Sequence, residues 1–283
     1  MKFYFSLVVT SVFTFGAGVQ WFESYQAVRK RNRVIVGGVS PDGSIAVGGG
    51  WLSGGGHSPI APNYGLGTPN SPDLTEPYSH GRFAGVDNVL EITIVTADGD
   101  HVIANPYNNE DLFWALRGGG GGTWGVVTSV TYKTHPSTPF SAAYLLANST
   151  NANSTQNLLA EIIRLTPSLI DQGYGGYIRG TVDQIALIVL SPNVTAEQTQ
   201  ATFLPLFEFA ASQPGLTVEN ATVLFQDFST FYDSLLLVID DGTVAMVGVP
   251  NEMSSWLLPK DVIQTDKPRE LATELLKTSK FGY

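Results

Sequence analysis

The chain has no cysteine. Disulfide frameworks, thiolate metal centres and a cysteine nucleophile are thereby excluded. Cations are scarce as well, with 15 Lys and Arg against 25 Asp and Glu and a formal net charge of −10. A surface of that sign repels phosphate backbones and anionic bilayers, so the sequence points away from nucleic-acid and membrane partners. The four histidines, His57, His80, His101 and His135, are scattered without metal-ligand spacing, and no metal is expected. Several motifs are missing too. There is no apolar run of transmembrane length, no G-x-x-x-x-G-K-[ST] loop and no G-x-S-x-G elbow, which removes membrane-spanning helices, P-loop nucleotidases and elbow-type serine hydrolases. Acidic pairs such as Glu110-Asp111 and Asp240-Asp241 read as a helix start and a solvated turn, so no catalytic residue is identified.

Glycine, by contrast, is abundant, with 30 in 283 residues. It is concentrated in GGGWLSGGGHS (48–58), YGLG (64–67) and RGGGGGTWGVV (117–127). Such density costs folding entropy and leaves peptide groups bare, as a large planar or anionic ligand requires. Gly120, Gly122 and Gly125 satisfy G-x-G-x-x-G, yet the flanking elements run in the wrong order for a nicotinamide Rossmann unit. Before the glycines, residues 108–117 predict a short helix capped by Asn108, with Leu112, Phe113 and Leu116 on its apolar face. After them, the β-branched residues 126–134 predict a strand.

Six ordered motifs carry a family resemblance: FTFGAGVQW (13–21), IVGGVSP (35–41), GGGWLSGGGHS, YGLG, VDNVLEITIVTADG (86–99) and DLFWALRGGGGGTWGVVTSVTYKTHP (111–136). Together they resemble the flavin-binding part of the FAD-linked oxidases with a p-cresol methylhydroxylase-type domain, the group of berberine-bridge-like and oligosaccharide oxidases. The resemblance implies an α+β fold, with an incomplete FAD-binding domain at 1–138 followed by an incomplete antiparallel-sheet substrate domain at 139–283. It implies FAD as cofactor, a small-molecule substrate and molecular oxygen as reactants, and a monomer. By position in the motifs, it implies cofactor contacts from Gly49, Gly50, Gly55, Gly56, Asp87, Asn88, Gly120, Gly122, Gly125 and Val127. His57 is either a hydrogen-bond donor beside the ring or a half-buried histidine satisfied by backbone. Ser40 and Pro41 fall where bicovalent members place a flavin-linking cysteine, and Ser40 is a turn residue that forms no thioether.

Two departures from the family pattern stand out. Before FTFGAGVQW the family carries a subdomain with the flavin-attachment histidine, and after SSWLLPKDVIQ it carries the catalytic residues. Neither is in this sequence, so the chain reads as the middle of an oxidase, or as a noncatalytic truncated or mis-spliced product of one. The second departure is TPNSPDLTEPYSHGRFAG at 68–85, where the family runs directly from GLG to VDNVL. It reads as a surface extension or as an in-frame retained intron.

Elsewhere, Asp98-Gly99 predicts a hairpin joining 89–95 to 101–104. Trp21, Tyr25 and Val28 give an apolar helix face, and 33–36 predicts a strand. Beyond residue 140, helices are expected around 158–163 and after a Thr195 cap, with strands at 176–179, 184–190 and 216–225. Sequons at Asn148, Asn153, Asn193 and Asn220 favour a secreted glycoprotein. The N-terminal MKFYFSLVVTSVFTFGAG reads either as a signal peptide or as an interior strand feeding the helix after Val19.

Overall fold

The computed structural model describes residues 12–39, 45–64, 85–239, 258, 260–264 and 267–278. The chain folds as two compact units, Met1–Ser137 with Ser229–Val247 and Thr138–Phe228 with Gly248–Tyr283. The 48–58 stretch is described; YGLG beyond Tyr64, the 68–84 part of the insertion, Ser40 and Pro41 lie outside the described residues.

The first unit begins with β1 (Val12–Gly16), α1 (Trp21–Arg29), β2 (Arg33–Val34) and two single-turn helices, α2 (Gly50–Ser53) and α3 (Ala61–Tyr64). A 3-10 turn at Gly85–Asn88 leads into β3 (Val89–Val95), β4 (His101–Ala104), α4 (Glu110–Leu116), β5 (Val126–Lys133) and β6 (His135–Pro136). The strands make an antiparallel sheet of order β1-β5-β3-β4, and β2 pairs with β6. The α1 helix forms because Trp21, Tyr25 and Val28 recur at helical spacing and are all buried. Its first turn is secured by Glu23, which accepts the Gln20 N–H at 2.9 Å. The β3-β4 hairpin closes through Thr96 N–H to Asp100 O at 2.9 Å, with Gly99 at φ +88° taking the conformation other residues resist. At α4 the expected cap shifts by one residue. Asn109 is the N-cap, left-handed at φ 52°, and the amides of Asn108 and Asn109 both donate to Ile103 O at 2.7 and 2.8 Å. They tether the helix to β4 instead of closing its first turn.

The second unit contains β7 (Phe140–Ser149), α5 (Ala152–Asp171), β8 (Gly175–Gly180), β9 (Gln184–Pro192), α6 (Ala196–Ser212) and β10 (Leu216–Phe225), with sheet order β10-β7-β9-β8, antiparallel throughout. Ala143, Leu145 and Ala147 of β7 lie opposite Val189, Leu187 and Ile185 of β9, and this one face packs with Leu158 and Ile162 of α5 and with Phe203, Leu206 and Phe207 of α6. Each large side chain so buried contributes about 1.5–3 kcal/mol. Thr195 caps α6 in a reciprocal box, its hydroxyl accepting Gln198 N–H at 3.2 Å while Gln198 Oε1 accepts Thr195 N–H at 2.9 Å. The strand β7 is absent from the sequence-based expectation. Phe140, Ser141, Ala142 and Ala143 are all fully buried, so the run has none of the alternation that marks a half-exposed strand.

The chain returns to the first unit in α7 (Phe228–Ile239). From Ser229 onward this helix belongs to the first unit, where Tyr232 meets Tyr25 at 4.7 Å between ring centroids and Asp233 pairs with Arg29 at 3.2 Å. Two further helices, α8 (Lys260–Ile263) and α9 (Pro268–Thr278), fall in the second unit, where Ala272 and Leu276 of α9 join the core against α5. Among the described residues no helix is long and apolar enough to cross a membrane.

Candidate cofactor site

Three segments distant in sequence meet in the first unit through backbone hydrogen bonds. Gly85 N–H donates to Gly56 O at 2.8 Å, Val86 N–H to Gly55 O at 3.1 Å, and Gly120 N–H to Ser53 O at 2.9 Å. The glycine stretch around α2, the 3-10 turn and the loop after α4 are thereby locked into one surface. Beside it lies a cavity of about 320 Å³ lined by Val86, Asp87, Trp114, Ala115, Arg117, Gly118 and Gly119. The α4 helix supplies Trp114 and Ala115 and, at its C-cap, Arg117, whose guanidinium carbon stands 4.5 Å over the Phe113 ring. That stacking fixes the cation on the cavity wall that Asp87 also lines.

The glycines divide by what a side chain would meet. At Gly50, Gly55 and Gly122 an added Cβ would face open space, and φ values of +94° at Gly55 and +70° at Gly122 favour glycine on backbone grounds. Gly49 meets only Ala46 at 3.4 Å and Gly120 only the Thr123 hydroxyl at 3.5 Å. Two others have a reason internal to the protein. A Cβ on Gly56 would lie 2.7 Å from the Trp51 ring, and one on Gly125 would lie 2.3 Å from Val95 O. Gly125 and Val127 thus stand where β5 enters the sheet, Val127 opposite Ile94. His57 is exposed, not half-buried, and its carbonyl accepts the Trp51 indole N–H at 3.1 Å.

Asn88, at the end of the 3-10 turn, is 1% exposed. His135 Nε2 lies 2.8 Å from its Oδ1, and the Tyr64 ring covers the imidazole at 4.4 Å. Burial, reinforced by the charges of Lys133 and Arg33, pushes the His135 pKa down to about 4, so the imidazole is neutral. With the ring proton on Nε2 the imidazole donates to Asn88 Oδ1, and Asn88 Nδ2 is buried without an acceptor among the described residues.

The FAD implied by the motifs needs bare peptide for a flat ring, a cation or N–H donors for its diphosphate, and room. The open glycines supply bare peptide and Arg117 places a cation on the cavity wall, while the buried Asn88 Nδ2 lies one residue beyond the wall at Asp87. A volume of about 320 Å³ sits at the lower end of the ~300–1,000 Å³ of small-molecule pockets, so these walls fit part of a dinucleotide. Trp51, Trp114, Arg117 and His135 were missed by motif reading. Trp114 had one signal, an aromatic lying off the Leu112-Phe113-Leu116 face, and it is 77% exposed.

No family model matches the chain. The FAD-linked oxidoreductase apf9 of Gibberella fujikuroi is 31% identical over 275 residues, covering 91% of this chain and 43% of the relative. The VAO-type flavoprotein MtVAO615 of Myceliophthora thermophila superposes with a TM-score of 0.75 at 25% identity, over 95% of this chain and 45% of that one. Glucooligosaccharide oxidase of Acremonium strictum, which carries a 6-S-cysteinyl, 8α-N1-histidyl FAD, gives 0.60 at 19% identity, over 83% and 44%. The fold is therefore that of the VAO-type flavoproteins, of the p-cresol methylhydroxylase type expected from the motifs. The chain belongs to the FAD-linked oxidoreductases, and it spans less than half the length of the relatives it matches.

Proposed function

We propose that the cavity side of the first unit holds FAD in an oxidoreductase that removes hydride from a small alcohol, sugar or secondary metabolite, with molecular oxygen as final acceptor. When bound, FAD supplies the hydride acceptor, and the protein supplies orientation and electrostatics. Gly50, Gly55 and Gly122 leave peptide groups uncovered for close approach, with Gly49 and Gly120 flanking them. Arg117 meets negative charge, and Asn88 offers a buried N–H donor held in place by His135. With no cysteine in the chain, none of these residues forms a 6-S-cysteinyl link. The reading extends to a secreted, glycosylated monomer, supported by the exposure of all four sequon asparagines, Asn148, Asn153, Asn193 and Asn220.

One observation carries this reading, the joining of three glycine-rich or turn segments by backbone hydrogen bonds around a cavity that presents a guanidinium. Equilibrium titration of the purified protein with FAD tests it. Arg117→Gln should weaken binding by roughly tenfold, the worth of one charge-assisted hydrogen bond, and move the melting temperature by less than about 2 °C. Equal affinity in Arg117→Gln, Trp114→Ala and wild type would remove FAD from this cavity.

A further inference from the structure

Trp51 is the second residue of α2 and is half-buried. Its ring meets Trp21 edge-on at 4.7 Å between centroids, and its Nε1 donates to His57 O at 3.1 Å. Three glycines from three segments close upon this one indole. A Cβ on Gly85 would lie 1.9 Å from Trp51 Cη2, one on Gly56 2.7 Å from its ring, and one on Gly38 3.2 Å from its Cδ1. Gly56 and Gly85 are the same residues that join the two loops, through the 2.8 Å bond from Gly85 N–H to Gly56 O. No space remains between backbone and ring at these points, so the position of the indole sets the position of both chains.

We propose that Trp51 is a positioning residue of the cofactor site, a template that fixes the Gly55–His57 backbone and the Gly85–Asn88 turn relative to one another without itself touching the ligand. The inference rests on the reading that FAD lies against these two segments. Gly85 leads directly to Val86 and Asp87 on the cavity wall and to Asn88 with its unmatched amide. A shift of a few tenths of an ångström at Trp51 therefore reaches the groups that face the cavity. Packed interiors transmit such shifts because they hold almost no free volume.

Complementary substitution separates positioning from simple stability. FAD dissociation constants and melting temperatures are measured for wild type, Gly85→Ala, Trp51→Phe and the double variant. Gly85→Ala should weaken FAD binding by at least about tenfold, Trp51→Phe by about fivefold, and the double variant should return to within about threefold of wild type, because the smaller ring makes room for the methyl group. A double variant that recovers its melting temperature but not its affinity would show Trp51 to be a packing residue only and overturn the proposal. So would Gly85→Ala binding FAD as wild type does. If Gly85→Ala does not fold, Trp51→Phe alone decides: wild-type affinity overturns the proposal, and a fivefold loss at a near-native melting temperature supports it. Wild-type protein that fails to bind FAD overturns the cofactor reading itself, and the inference with it.

Discussion

The two units spend their sequence in opposite ways. The sheet of the second is built of strands of 6–10 residues, with helices of 17 and 20 residues on one face and the shorter α8 and α9 added late in the chain, and only Gly173 and Gly215 take positive φ among its described glycines. The first has single-turn helices, two-residue strands and, among its described residues, seven positive-φ glycines: Gly55, Gly56, Gly99, Gly118, Gly120, Gly122 and Gly125. Stability in the second unit comes from apolar area removed from water, which regular elements maximise. In the first unit, backbone is kept bare and close to a cavity, and the loss of side-chain burial is offset by a dense aromatic cluster. Trp21, Tyr25, Tyr132 and Tyr232 form its interior, with Trp21 and Tyr132 5.5 Å apart and Trp21 and Tyr25 5.9 Å apart. A site made from peptide groups needs rigid backing, and large buried rings provide it.

The sharpest way to break this contrast is to damage the second unit and look for an effect in the first. Phe203 is 1% exposed and meets Tyr174 edge-on at 5.1 Å. Phe203→Ala should cost about 3–5 kcal/mol of stability, read by urea denaturation, and leave FAD affinity at low temperature unchanged. A parallel loss of affinity would mean the two units do not divide the work as described.

A smaller effect comes from His135 in the first unit. Its folded-state pKa of about 4 lies below the usual 6.5, so the folded state binds fewer protons than the unfolded one. The stabilisation is present above pH 6.5 and is lost as pH falls from there towards 4. The shift sets a ceiling of about 3 kcal/mol on this loss. His135→Asn should flatten the stability profile between pH 7 and pH 4.5, while the second unit, followed separately by calorimetry, keeps its own. An unchanged slope in the variant would remove His135 as the source.

The smallest effects sharpen the comparison within the first unit. Gly99 and Gly122 both have positive φ with open space at Cβ. Alanine at either should cost about 1–2 kcal/mol of backbone strain. Only Gly122→Ala should also weaken FAD binding, since Gly99 sits in the β3-β4 hairpin turn. Equal affinities would show that the open space at Gly122 faces solvent alone.

Legibility in the sequence tracked the same divide. The hairpin around Asp98-Gly99 and the Thr195 cap of α6 depend on neighbouring residues, and both could be read locally. The start of β7 could not, because Phe140, Ser141, Ala142 and Ala143 are buried on both faces and show no alternation. The glycine stretches announced a site, but their chemistry did not sort them. Gly56 and Gly55 are adjacent and look alike, yet one abuts an indole and the other faces open space. Arg117 and His135 owe their interest to Phe113, Asn88 and Tyr64, which come near only after folding.

The return of α7 to the first unit bears on the order of assembly. Neither unit is continuous in sequence: the first is completed only when Ser229 and the rest of α7 have been made, and the second only when α9, whose Ala272 and Leu276 join its core, has followed. At a synthesis rate of roughly 5–20 residues per second, the 207 residues between Tyr25 and Tyr232 take about 10–40 s to emerge. Through that interval the aromatic face of α1 has no α7 to cover it. Until α7 follows, the nascent chain therefore leaves Tyr25 without the ring that packs on it in the folded protein.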